Sequence, residues 1–230
     1  MINKCSSCNN QTCNNKPNLI FMGPPGAGKG SISKLMVEKF GYFQLSTGDM
    51  FRQEIKNETE LGKKIKDILD SGKYVDNSIT NHLVESNLRN LVATKTPFIL
   101  DGFPRTLDQA QFLEDLEKKD IFIDKVILLK ISNEQIIERL SKRRICPKCK
   151  TIYHLEVFPP LENKYCKVCH TEVIKRVDDE KDVILKRLDM YYSQTEILID
   201  FYKKKNIVLE INSHQDLNEV FLDLMRVLGW

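Results

Sequence analysis

Met22-Gly-Pro-Pro-Gly-Ala-Gly-Lys-Gly-Ser31 is the stretch on which the fold turns. It holds four glycines, two prolines and a single lysine, and it follows directly on the apolar run Asn18-Leu-Ile-Phe-Met22. The run reads as a short buried strand, and a helix is expected to start near Lys29. Glycines between a strand and a helix let the backbone curl so that successive N–H groups point inward, while the helix N-terminus adds partial positive charge. That geometry cradles phosphate. Gly23, Gly28 and Lys29 stand at P-loop spacing, so Lys29 can reach the outer phosphates of a nucleotide as a point charge. Gly30 occupies the usual Ser/Thr position and the hydroxyl comes one residue later, at Ser31, which puts direct hydroxyl coordination of magnesium in question.

Outward from the loop, short β-rich runs recur at Leu19-Met22, Tyr42-Leu45, Phe98-Leu100, Val126-Ile131 and Ile207-Ile211. Amphipathic segments such as Ser78-Leu91 and Asn133-Leu140 lie between them, the rhythm of parallel strands covered on both faces. The expected fold is α/β, a doubly wound parallel P-loop sheet with helices on both faces. Asp178-Lys205 reads as one long helix, with Asp178 and Asp179 near its positive end. Its stripe of Ile184, Leu188, Tyr191, Leu198 and Tyr202 reads as core packing.

At 230 residues the chain can bury one substantial core with small appended subdomains. The balance of 35 basic to 32 acidic residues, +3 net, gives little support to general nucleic-acid binding. No apolar run approaches the ~18 residues of a membrane span, and the first sixteen residues lack the apolar segment of a secretory signal. An intracellular protein is expected, cytoplasmic before mitochondrial. The polar, Asn-rich leader, residues 1–16, reads as a disordered tail in which Cys5, Cys8 and Cys13 are solvated and reduced, a second metal site there being the weaker reading.

Two further motifs follow strand ends: Ser46-Thr-Gly-Asp-Met-Phe-Arg52 and Asp101-Gly-Phe-Pro-Arg-Thr106. Ligands of open α/β sheets bind at that side, and each motif brings an arginine to the crevice the loop faces. A phosphoryl donor and a phosphorylated acceptor need such cations on both sides of the transferred group. Neither Asp-x-x-Gly nor Asn-Lys-x-Asp occurs, which weakens a GTPase switch. Arg139 and Arg143, four apart, are expected on one helix face, and Arg176 and Arg187 on either side of the long helix's start. Cys146-Pro-Lys-Cys149 and, sixteen residues on, Cys166-Lys-Val-Cys169 are a strong zinc signal. Four thiolates complete the tetrahedron, so the zinc is expected to be structural; His154 and His170 are spare candidates.

GPPGAGKGS, STGDMFR and DGFPRT, in this order and spacing, resemble the nucleoside monophosphate kinases and specifically the adenylate kinase family, from about Leu19 to the C-terminus. The resemblance implies reversible transfer of the terminal phosphoryl group of ATP or GTP to AMP. It places the triphosphate on Gly23, Gly26, Ala27, Gly28, Lys29, Gly30 and Ser31, with Arg139 and Gln215 near the base and Ile152 and Tyr153 over the nucleotide. Tyr153 reads equally as a packing residue. AMP is implied at Thr47, Arg52, Leu69, Lys73, Tyr74, Val75, Gly102, Arg105 and Gln109, with Arg143, Arg176 and Arg187 on the phosphates and Asp101 holding magnesium through water. The implied organisation is a core of residues 17–46, 76–143 and 176–230, a helical AMP-binding subdomain at 47–75, and a zinc-ribbon-like LID at 144–175 that closes to exclude water.

A UMP/CMP-type kinase is the nearer alternative, and a zinc-ribbon nucleic-acid binder the one from a different class. The expected partners are nucleotides alone, with neither nucleic acid nor membrane, and the expected state is a monomer. Gly28-Lys-Gly-Ser-Ile-Ser33 lacks the Gly-Lys-Gly-Thr-Gln of adenylate kinases proper, and with Ile152-Tyr-His-Leu-Glu-Val-Phe-Pro-Pro160 it resembles GTP:AMP phosphotransferases. The donor expectation therefore leans to GTP.

Overall fold

The computed structural model describes residues 16–230. The expectations for Cys5, Cys8, Cys13 and most of the leader lie outside the described residues. Lys16 is anchored, its Nζ donating to the Phe40 carbonyl at 2.6 Å.

Strands β1 (Leu19–Met22), β2 (Phe43–Ser46), β3 (Phe98–Asp101) and β4 (Lys125–Lys130) belong to one parallel sheet. β5 (Arg143–Ile145) and β6 (Ile152–His154) pair antiparallel outside it, and β7 (Val208–Asn212) returns as its edge. The sheet order is β2-β3-β1-β4-β7, with Leu19 in register with Ile99 and Ile20 with Val126. β1 lies between β3 on one side and β4 on the other, the chain filling the β3 side first and then crossing to β4 and β7. The loop after β1 therefore opens at the switch point, where the two halves of a doubly wound sheet leave a crevice.

Alternation along β1 divides the core. Ile20 and Met22 join the cluster beneath α4 (Asn77–Ala93), α5 (Leu107–Leu116) and α8 (Ile197–Lys204). Leu19 and Phe21 join the cluster beneath α1 (Lys29–Phe40) and α9 (Leu217–Leu228). Successive strand side chains point to opposite faces, so a four-residue strand buried throughout needs helices on both. α2 (Thr47–Lys56) and α3 (Glu60–Asp70) form a smaller lobe around Phe51, Ile65 and Val75. Hydroxyl caps begin them: Ser46 accepts from the Asp49 amide and Thr59 from that of Gly62.

Three expectations need correction. The long helix starts after a 3₁₀ turn at Val177–Asp179 and is not α-helical throughout: α7 (Lys181–Met190) runs through a π-helical stretch at Tyr191–Thr195 into α8. Its apolar stripe is buried as expected. Asp178 and Asp179 lie in the 3₁₀ turn rather than in the first helical turn. Arg143 does not share a helix with Arg139, since α6 (Asn133–Ser141) ends before it and Arg143 opens β5.

Candidate active site

The crevice beyond β1 holds a cleft of about 660 Å³. Gly23 starts its floor at φ 137°, where an added Cβ would sit 2.6 Å from the Leu129 carbonyl oxygen, so only glycine lets the loop turn this close to β4. Gly28 ends the loop in the left-handed region, and its carbonyl accepts from the Ser31 and Ile32 amides to begin α1. Lys29 Nζ folds back over the loop, donating to the Gly23 and Pro24 carbonyls at 2.7 and 2.8 Å. Burial pulls its pKa down to about 8; Asp101 opposes the fall while Arg105, Arg187 and Arg143 add to it. A lysine so placed gains from an anion that approaches the loop.

Asp101 closes β3 beside it. Its Oδ2 accepts from Gln44 Nε2 at 2.9 Å, and Oδ1 has no hydrogen-bond donor among the described residues. A Cβ on Gly30 would stand 3.6 Å from that carboxylate and 3.4 Å from Ile152 Cδ1. Magnesium takes oxygen ligands and retains waters, so a carboxylate with a free oxygen at the mouth of the phosphate loop fits that ion.

Next along the chain, Gly102 at φ 78° turns its carbonyl to accept from Thr47 Oγ1 at 2.8 Å and Arg105 Nε at 2.7 Å. The Arg105 guanidinium stands over the Tyr74 ring, 5.0 Å from its centroid. The π stretch sets Thr195 beneath this loop: its hydroxyl donates to the Arg105 carbonyl and pairs with Tyr74 Oη. Gln109 is 2% exposed, its Oε1 accepting from the Arg105 amide and its Nε2 donating to Asn77. Gln109, Thr47, Val75 and Ala27 thus stand behind the cleft, and the other residues expected at the nucleotides line it.

Three arginines meet two aspartates at the cleft's centre. Arg143 grips Asp179 through Nε and Nη2, Arg176 grips Asp178 likewise, and Arg187 Nη1 reaches both carboxylates. The Asp179 side chain is 0% exposed. Burial alone would raise Asp178, yet Arg187 and Arg176 hold it well below the usual carboxylate range. One positive charge remains uncompensated, and Arg52, paired with Asp49, stands nearby. Such a cluster is preorganised for an anion with several oxygens. Arg139 lies apart, donating to the Ser213 carbonyl at 2.7 Å and toward that of Gln215. The pairs of Asp178 and Asp179 were missed in sequence; Arg176-Val-Asp-Asp179 was the available signal.

Above the cleft, the Sγ atoms of Cys146, Cys149, Cys166 and Cys169 lie within 4.8 Å of one another. Cys146 and Cys169 are 3.3 Å apart and Cys149 and Cys166 3.4 Å, close to the roughly 3.8 Å edge of a zinc–thiolate tetrahedron. The set therefore fits zinc. Among the described residues His154 and His170 are outside it; His154 Nδ1 instead accepts from the Glu156 and Val157 amides. Tyr153, 1% exposed, sends its hydroxyl into the knuckle, 3.2 Å from Cys166 Sγ, where it also accepts from the Lys167 amide. With Cys166 as a metal-bound thiolate, which can only accept, the phenolic proton would point at sulfur.

A family profile described as adenylate kinase matches residues 21–207. An adenylate kinase of Petrotoga mobilis is 41% identical over 211 residues, covering 91% of this chain and 96% of its own. Those of Clostridium tetani, over 92% and 98%, and a Thermoanaerobacter species, over 92% and 97%, are each 40% identical. With the loop, the arginine cluster and the parallel sheet already in place, these matches mean that the chain belongs to the adenylate kinase family, nucleoside monophosphate kinases that transfer a phosphoryl group reversibly between a nucleoside triphosphate and AMP.

Proposed function

We propose that the cleft binds a nucleoside triphosphate on Gly23–Ser31 and AMP against Arg52, Arg105 and the α2–α3 lobe, and that it transfers the γ-phosphoryl group between them. The observation that carries this is the meeting of Lys29, Arg105, Arg143, Arg176 and Arg187 around one cleft. Transfer through a loose transition state asks little covalent chemistry of the protein; it asks for alignment and for cations where charge redistributes. Lys29 holds the outer phosphates, and the arginines clamp donor and acceptor oxygens in line. Magnesium beside Asp101 would neutralise phosphate charge, and zinc on the four thiolates would order residues 144–175. With those residues as LID and 47–75 as AMP subdomain, closure keeps water from competing with AMP.

For the donor we take ATP. Ile32 and Ser33, on which the GTP expectation partly rests, are 1% and 0% exposed, so neither side chain is open to read a base. The LID stretch Ile152–Pro160 remains as support for GTP. An intracellular monomer acting on nucleotides alone is the corresponding working state; among the described residues no helix is long and apolar enough to cross a membrane. The test is a matrix of donors (ATP, GTP) against acceptors (AMP, UMP, CMP) with product stoichiometry. The expected result is ADP from AMP with the higher kcat/KM for ATP. A GTP preference reverses the donor assignment alone, whereas UMP or CMP as the better acceptor overturns the AMP reading.

A further inference from the structure

Lys34 sits one and a half turns beyond Lys29 on α1 and is assigned nothing by the phosphate chemistry. Its Nζ crosses from the core to the LID and donates to the Lys150 carbonyl at 2.7 Å. That carbonyl belongs to the turn just after Cys149, where Lys150 takes a φ of 60° and its amide returns to the Cys146 carbonyl at 3.0 Å. Among the described residues Lys34 is the only hydrogen-bond donor to that oxygen. A second contact reaches the same helix: Ile152 Cδ1 lies 3.4 Å from where a Gly30 Cβ would be. The LID therefore rests on α1 at two places, one apolar and one charged.

We propose that Lys34 is a positioning residue that clasps the LID onto α1 when the cleft closes, and that metal on the four thiolates tightens the clasp. This rests on the phosphotransferase reading of the cleft. Zinc with four thiolates carries two net negative charges, whereas four protonated thiols carry none. Partial burial lowers the Lys34 pKa, and the groups that oppose the fall are Cys149 and Cys146 from the LID, Asp49 from α2 and Glu38 from its own helix. The loaded knuckle thus attracts the ammonium that already holds its turn. Coupling of this kind is reciprocal: if metal favours closure, closure favours metal.

The test uses full-length, zinc-loaded Lys34→Met and Lys34→Arg, with circular dichroism and melting to establish folding. Zinc release to a chromophoric chelator is followed with and without saturating AMP plus a non-hydrolysable triphosphate. In the parent protein the nucleotides should slow release; in Lys34→Met that slowing should shrink about tenfold, the effect of losing one charged hydrogen bond. KM for the triphosphate should rise by a similar factor with KM for AMP unchanged, and Lys34→Arg should recover most of both. Equal slowing in parent and Lys34→Met overturns the clasp, as does an equal rise in both KM values. Retained ADP formation by the Met variant keeps either outcome separate from failure of the kinase reading.

Discussion

Lys29 and Ile152 line one cleft, and different physics holds each in place. Behind Lys29 stands a parallel sheet whose Leu19, Ile20, Ile99 and Ile127 are 0% exposed, packed between helices on both faces. Behind Ile152 stands a cluster of Cys146, Tyr153, Cys166 and Val173, too small to be a core. Apolar burial is distributed, so the sheet tolerates the loss of single contacts. Metal on Cys146, Cys149, Cys166 and Cys169 would concentrate the same task in four sulfurs, where one broken ligand releases the whole segment. On the proposed reading the difference suits the work: the sheet keeps the phosphate loop rigid, and residues 144–175 close as a unit without a core of their own.

The sharpest way to break the core half of this comparison is Lys29→Met. Turnover should fall roughly 10²-fold or more, the scale of losing one preorganised electrostatic contact, while the melting temperature stays near that of the parent. A large loss of stability would instead make Lys29 a strut for the loop carbonyls it touches.

A tenfold effect is expected from pH on the same residue. With its pKa lowered to about 8, Lys29 in the free protein loses its proton above that pH, whereas bound phosphate anions restore it. Triphosphate binding therefore takes up a proton, and affinity should weaken about tenfold between pH 7 and 9. Titration calorimetry in buffers of different ionisation enthalpy reads the proton directly; no uptake at pH 8.5 would contradict the assignment.

An effect of about the same size bears on the LID half. Tyr153→Phe removes only the hydroxyl that points at Cys166 Sγ, and a hydrogen bond of this kind typically supports metal affinity by 10-fold or more. Zinc affinity measured by chelator competition should drop by about that factor with the fold intact. Unchanged affinity would leave Tyr153 as packing against Phe158, whose ring is stacked on it at 5.3 Å.

Much of this was legible in the sequence because it is local. The phosphate loop, the strand-end arginines and the CxxC pairs are set by spacing, and the β-rich runs lie within a residue or two of their strands. What escaped depends on three dimensions. No periodicity shows that Asp179 is buried between Arg143 and Arg187, which come from a hairpin and a helix far apart in sequence. The π stretch at Tyr191–Thr195 lies inside a helix whose apolar stripe stays buried on both sides of it, so the pattern gave no sign of the turn that sets Thr195 under Arg105. Arg139 and Arg143 failed together as a helical pair because α6 ends at Ser141, and a four-residue spacing places two side chains on one face only where the helix continues. The hydrogen bonds of the buried Gln109 to the Arg105 amide and to Asn77 were likewise outside what spacing could show.

The contrast between the two halves is tested most directly by peptide-resolved hydrogen exchange on the full chain with zinc bound and after chelation under reducing conditions, with phosphoryl transfer assayed on the same samples. Removal of the metal should abolish protection across residues 144–175, leave β1, β3 and β4 protected, and cut ADP formation. Protection lost together in the LID and the sheet, or retained in the LID without metal, would contradict an apolar core carrying a metal-held lid.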